Sequence, residues 1–106
     1  MSESITFQPR PESPMIARAR ARGRKVPEFS QDSLGYDAEA PYGILRVHLE
    51  FGGAWRASLT ECGEVKATGA YATREEAEAA AIEWGTKGRA AYAGTKHERT
   101  DWMERV

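Results

Sequence analysis

The chain has 106 residues, 41% of them hydrophobic and 29% charged, with a formal net charge of −1. That length holds one small domain, and that balance excludes a uniformly basic nucleic-acid binder. A single cysteine, Cys62, excludes an internal disulfide framework and fits a reducing cytoplasm. No apolar run approaches the roughly 18 residues of a membrane span, and Pro9, Pro11 and Pro14 interrupt any signal-peptide core. A cytoplasmic protein with no membrane partner is expected.

Residues 1–43 contain all five prolines and no sustained hydrophobic period. They read as a flexible arm, with Ile5 and Phe7 placed to add a short N-terminal edge strand. Val26, Phe29, Leu34 and Tyr36 are spaced like isolated apolar anchors. Of the six basic groups in residues 1–40, five fall in Arg18-Ala-Arg-Ala-Arg-Gly-Arg-Lys25, with no acid between them. Extended, this run presents Arg18, Arg20, Arg22 and Arg24 along one side.

The folded unit is expected over residues 44–93. Ile44–Phe51, Ala54–Thr60 and Glu64–Tyr71 alternate apolar and polar residues, the pattern of an antiparallel sheet with one buried and one open face. Leu45, Val47, Leu49 and Phe51 point one way, joined by Trp55, Ala57 and Leu59 and by Val65, Ala67, Gly69 and Tyr71. Keeping these faces consistent favours three-residue hairpin loops over two-residue ones, because a one-residue slip would turn every apolar side chain into water. Phe51 is then expected opposite Trp55, Leu49 opposite Ala57 and Glu50 opposite Arg56. Beyond the Glu61-Cys62-Gly63 loop, Leu59 falls opposite Val65, and Trp55 opposite Gly69, whose backbone the indole covers.

Thr73 and Glu76 form a capping box that opens a helix. Ala77, Ala80, Ala81 and Trp84 recur at helical spacing and should lie on the sheet. The helix stops at Gly85 or continues to a cap at Gly94, and residues 94–106 form a tail that docks loosely or stays free. The expected fold class is α+β: a three-stranded antiparallel sheet, with room for an extra N-terminal edge strand, and one helix across one face. Its core would be Leu45, Val47, Leu49, Trp55, Leu59, Val65, Tyr71, Ala77, Ala81 and Trp84. So thin a core predicts marginal stability or a homodimer, and Trp55→Ala would cost about 3–5 kcal/mol.

Catalytic patterns are missing from the sequence. His48, His97 and Cys62 are too few and too dispersed for a metal set, Glu75, Glu76 and Glu78 suit a helix start, and no phosphate loop or dinucleotide fingerprint occurs. A non-enzyme without metal or cofactor is expected. Two surfaces are candidates for binding. One is the Arg18–Lys25 run, read either as a phosphate or acidic-partner contact or as a solvated basic linker. The other is the open sheet face, with Arg46, Arg56 and Lys66 against a single carboxylate, Glu50.

Gly53-Ala-Trp-Arg-Ala-Ser-Leu59 followed by Gly69-Ala-Tyr-Ala-Thr-Arg-Glu-Glu-Ala77 resembles the arm-site-binding N-terminal domains of phage-type integrases. The helix start is also similar to that of HicB-like antitoxins. The integrase resemblance implies a sheet that contacts DNA through Arg46, Arg56 and Lys66. Arg22-Gly23-Arg24 resembles the core of AT-hooks, with Lys25 where that family has proline. The leading expectation is a small bacterial or phage accessory protein that binds nucleic acid through its basic arm and basic sheet face. The alternative is a protein-binding regulator or inhibitor, anti-CRISPR-like or antitoxin-like, that engages its partner through Phe29, Leu34, Tyr36 and Ile82. Ile82 enters because it lies off the Ala77/Ala81/Trp84 stripe.

Overall fold

The period-two segments become three long strands, and two further strands join them from the N-terminal side. In the computed structural model, which describes residues 5–26 and 28–99, the elements are β1 (Gln8–Pro9), α1 (Pro14–Ala21), α2 (Gln31–Leu34), β2 (Tyr36–Ala40), β3 (Gly43–Leu49), β4 (Trp55–Glu61), β5 (Glu64–Tyr71), α3 (Arg74–Lys87) and α4 (Arg89–Tyr92). The strands form one antiparallel sheet in the order β1-β2-β3-β4-β5. The α+β class is as expected, but the sheet has five strands rather than three, and α3 has company from other helices. Strand β2 lies within the segment read as an arm, pairs with β3 along its whole length, and contributes Tyr36 and Ala38 to the core. The edge strand β1 pairs with β2 but is only Gln8–Pro9; Ile5 and Phe7, expected to supply it, precede it and pack partly buried against the core.

The registers differ from expectation, each for a reason in its turn. Leu45 faces Leu59, Val47 faces Ala57 and Leu49 faces Trp55. The Glu50 N–H donates to the Ala54 carbonyl at 2.7 Å and the Gly53 N–H to the Glu50 carbonyl at 3.0 Å. The turn is therefore Phe51-Gly52-Gly53, with both glycines at positive φ. A two-residue shift keeps the apolar set on one face but puts Phe51, expected inside, at an exposed tip. At the next hairpin the turn is Cys62-Gly63 with φ of 54° and 82°, the two-residue geometry that matches strand twist. It sets Thr60 opposite Val65; a bulge then leaves Lys66 unpaired and restores Leu59 opposite Ala67 and Ala57 opposite Gly69.

The core lies between one sheet face and α3. It comprises Tyr36, Ala38, Leu45, Val47, Ala57, Leu59 and Ala67 from the strands, Ala77, Ala81 and Trp84 from α3, and Tyr92 from α4. Leu49, Trp55, Val65 and Tyr71, expected in the core, are half-buried. Leu49, Trp55 and Tyr71 form a cross-strand row at one end of the sheet, while the bulge turns Val65 towards the side of Thr60. Thr73 caps α3 as expected, its hydroxyl accepting from the Glu76 N–H at 3.2 Å. The helix runs through Gly85 and stops at Gly88. Gly85 is a contact rather than a stop: a Cβ there would come within 2.6 Å of the Ala40 Cβ and 2.8 Å of a Leu45 methyl.

Part of the tail docks. The Thr68 N–H donates to the His97 carbonyl at 2.9 Å and the Arg99 N–H to the Lys66 carbonyl at 3.1 Å, which lays residues 97–99 along β5. The His97 ring, with centroids 5.9 Å from Tyr71 and 5.3 Å from Trp84, covers Gly69, the place expected for Trp55. Trp102, Met103 and Val106 lie outside the described residues. Among the described residues no helix is long and apolar enough to cross a membrane.

Candidate nucleic-acid interface

The Arg18–Lys25 run is helical over Arg18–Ala21, where an extended arm was expected, and turns at Arg22-Gly23 before Arg24 and Lys25. Ser13-Pro14 opens α1, with proline in the first turn where its missing N–H costs nothing. Alanine and arginine are both strong helix formers. The helix ends at Arg22, whose N–H reaches the carbonyls of Arg18 and Ala19, and Gly23 follows at a φ of 80°. Arginines in the last turn also meet the negative end of the helix dipole. At about 100° per residue Arg18 and Arg22 share a face while Arg20 points away, so the four arginines do not line one side. Arg20 instead donates to the Glu12 carboxylate. No residue of α1 is buried.

Charge is unevenly satisfied across the described residues. Arg46 donates to Asp37 at 2.8 Å, Arg56 lies 3.2 Å from Glu50, and Lys66 lies 2.9 Å from Glu64. Arg74, Lys87 and Arg89 likewise pair with Glu78, Glu83 and Glu98. Arg18, Arg22, Arg24 and Lys25 are exposed and have no carboxylate partner among the described residues. Arg10 and Lys96 also lack such a partner among the described residues, but it is on α1 and the residues just after it that these cations follow one another closely in sequence.

The open sheet face is correspondingly less basic than its three central strands suggested. Strand β2 adds Asp37 opposite Arg46 and Glu39 opposite Ile44, so Glu50 is not its only carboxylate. Arg56 sits opposite His48 rather than Glu50, yet reaches Glu50 diagonally and approaches the Thr68 hydroxyl at 3.4 Å. The Glu64 contact raises Lys66 above the usual lysine range and lowers Glu64. Burial lowers His48 below its ordinary value; Glu50 opposes that, and Arg56, Arg46 and Arg10 add to it.

The apolar candidates separate. Phe29 is exposed, and with Ile16 and the half-buried Leu34 it lines an open cleft of about 590 Å³ between the α1 segment, α2 and Asp37 of β2. Tyr36 is no free anchor: it is buried, its hydroxyl donates to Asp32 at 2.7 Å, and the Arg74 guanidinium lies 3.7 Å from its ring centroid. Ile82, expected exposed, is half-buried against the core. Sequence reasoning passed over Arg10, an exposed residue that lines the same cleft, and Phe51 as a surface residue. The signal for Phe51 was the Gly52-Gly53 pair beside it, which favours a turn beginning at the phenylalanine.

Among the described residues no group of three or more His, Cys, Asp or Glu side chains is placed to hold a metal ion. The class defined by the fold is a small α+β domain, an antiparallel meander with its helical layer on one face. Family models, curated proteins and solved structures were compared with the chain, and none matches. The resemblance to integrase arm-binding domains and HicB-like antitoxins therefore rests on the motif residues alone.

Proposed function

We propose that the chain is a non-catalytic accessory protein that binds nucleic acid, with Arg18, Arg22, Arg24 and Lys25 contacting phosphates. The supporting observation is the contrast in charge pairing: among the described residues these four cations have no carboxylate partner, whereas the sheet and α3 cations are all paired. Arg20 can join them by exchanging Glu12 for a phosphate. The pairs of Arg46, Arg56 and Lys66 are half-exposed, of a kind worth only about 0–1 kcal/mol, so that face serves as a secondary docking surface.

The test is titration of labelled DNA and RNA oligomers at salt concentrations from about 50 to 200 mM. Each neutralised phosphate contributes a slope of about −0.7 to −0.9 in log affinity against log salt, so replacing all four cations by alanine should flatten the slope by about 3. Absence of binding by the native chain at low salt, or an unchanged slope in the variant, would refute the reading. A second reading, a protein-binding regulator or inhibitor, is supported by the exposed Phe29 at the cleft it shares with Ile16 and Leu34. A partner complex that Phe29→Ala weakens and the four-cation variant leaves intact would favour it.

A further inference from the structure

The tip of the β3–β4 hairpin carries a side chain that the fold does not use. Phe51 is wholly exposed, at 111% of its reference area. Around Gly52 and Gly53 there is open space, with no atom within 4 Å of a Cβ built on either. An aromatic ring is among the largest apolar surfaces a side chain can bury, and here folding buries none of it.

Strand direction says what accompanies this ring. In the antiparallel sheet β1, β3 and β5 finish at the end where β2 and β4 begin. The Phe51 turn follows β3 and the α1 segment follows β1, so both leave the sheet from that end. The cleft lining agrees, joining Asp37, near the start of β2, to Pro14 and Ile16 of α1. At about 4.8 Å per strand, the end of β1 and the β3–β4 turn stand roughly 12 Å apart across the sheet. Glu50, the carboxylate beside the tip, is held by Arg56, so the approach to Phe51 carries no unpaired negative charge from it.

The chain that leads to the cations with no carboxylate partner among the described residues thus leaves the sheet at the same end as a bare aromatic ring. A ligand that satisfies both carries regularly spaced negative charge and flat apolar faces. Single-stranded nucleic acid has both, whereas in a duplex the base faces are covered by their neighbours. We propose that Phe51 stacks on an unpaired base of a single strand whose phosphates are held by Arg18, Arg22, Arg24 and Lys25. This rests on the phosphate-binding reading above and adds the nucleic-acid class to it.

The experiment compares the native chain, Phe51→Ala, Phe51→Trp and the four-cation variant on a labelled single strand, the matching duplex and phosphatidylserine-containing vesicles. Phe51→Ala should weaken single-strand binding on the order of tenfold while leaving the salt slope unchanged, and Phe51→Trp should retain affinity. Its thermal melt should match the native chain, because the ring contributes no buried surface. Native affinity in Phe51→Ala overturns stacking, and the phosphate reading survives if the four-cation variant still loses affinity. An equal loss on duplex, or a loss seen only on vesicles, overturns the single-strand assignment in favour of a duplex wedge or a membrane surface. Failure of the native chain to bind either nucleic acid overturns both readings.

Discussion

Gly69→Ala tests whether the C-terminal segment is part of the fold. Gly69 lies mid-strand opposite Ala57, and a Cβ there would fall 2.7 Å from His97 Nδ1 and 3.0 Å from its Cε1. The imidazole would have to leave its place beside Tyr71 and Trp84, an overpacking cost of about 1–3 kcal/mol. Against this, alanine restricts the unfolded chain and returns about 0.4–1 kcal/mol. The net expectation is a loss of about 1 kcal/mol, a fall in Tm of about 4–8 °C for a chain of this size. With His97→Ala in place only the Tyr71 hydroxyl, 3.0 Å from the added Cβ at the far end of its side chain, has to shift, and the cost of Gly69→Ala should fall to near zero. Urea unfolding followed by tryptophan fluorescence reads both arms of the cycle, since Trp84 lies 5.3 Å from the imidazole. An equal change in the two backgrounds would mean that His97 does not rest on Gly69.

Leu59→Ala, at a fully buried site, should cost about 2–5 kcal/mol, while Trp55→Ala should cost less than its sequence-based 3–5 kcal/mol because the indole is half-buried; chemical denaturation of the two variants ranks them. His48 gives a pH dependence. Its folded value is held below the ordinary 6.5, chiefly by burial, so the unfolded chain takes up the proton first as pH falls. Its contribution is therefore fully present above about pH 6.5 and declines as pH drops from there towards the folded value. The urea midpoint should fall more between pH 7.5 and pH 5.5 in the native chain than in His48→Gln, and identical falls would refute the assignment.

The parts of the fold legible in the sequence are those written in periodicity. Alternation from Leu45 to Tyr71 marks three strands and their buried face, and Thr73 with Glu76 marks the start of α3. Strand β2 was hidden because Tyr36-Asp-Ala-Glu-Ala40 is short and two of its residues are acidic, a composition depleted in strands. Its acids then neutralise a face that looked basic when only the other strands were counted. Helix α1 was hidden by Arg-Ala alternation, which mimics a period of two, although Ser13-Pro14 before a run of helix formers was the available signal. Hairpin registers depended on which residues took positive φ, a choice made at Gly52, Gly53, Cys62 and Gly63 that alternation does not encode. The docking of His97 on Gly69 joins residues 28 positions apart and leaves no local pattern to read.

The meander order has a consequence for synthesis. Every strand pairs with its neighbour in sequence, so the sheet can assemble in the order in which it leaves the ribosome. The lid for its apolar face comes late: Ala81, which covers that face, lies 36 positions after Leu45, which needs covering. At about 5–20 residues per second the nascent sheet would present Leu45 to solvent or to chaperones for roughly 2–7 s before α3 closes over it.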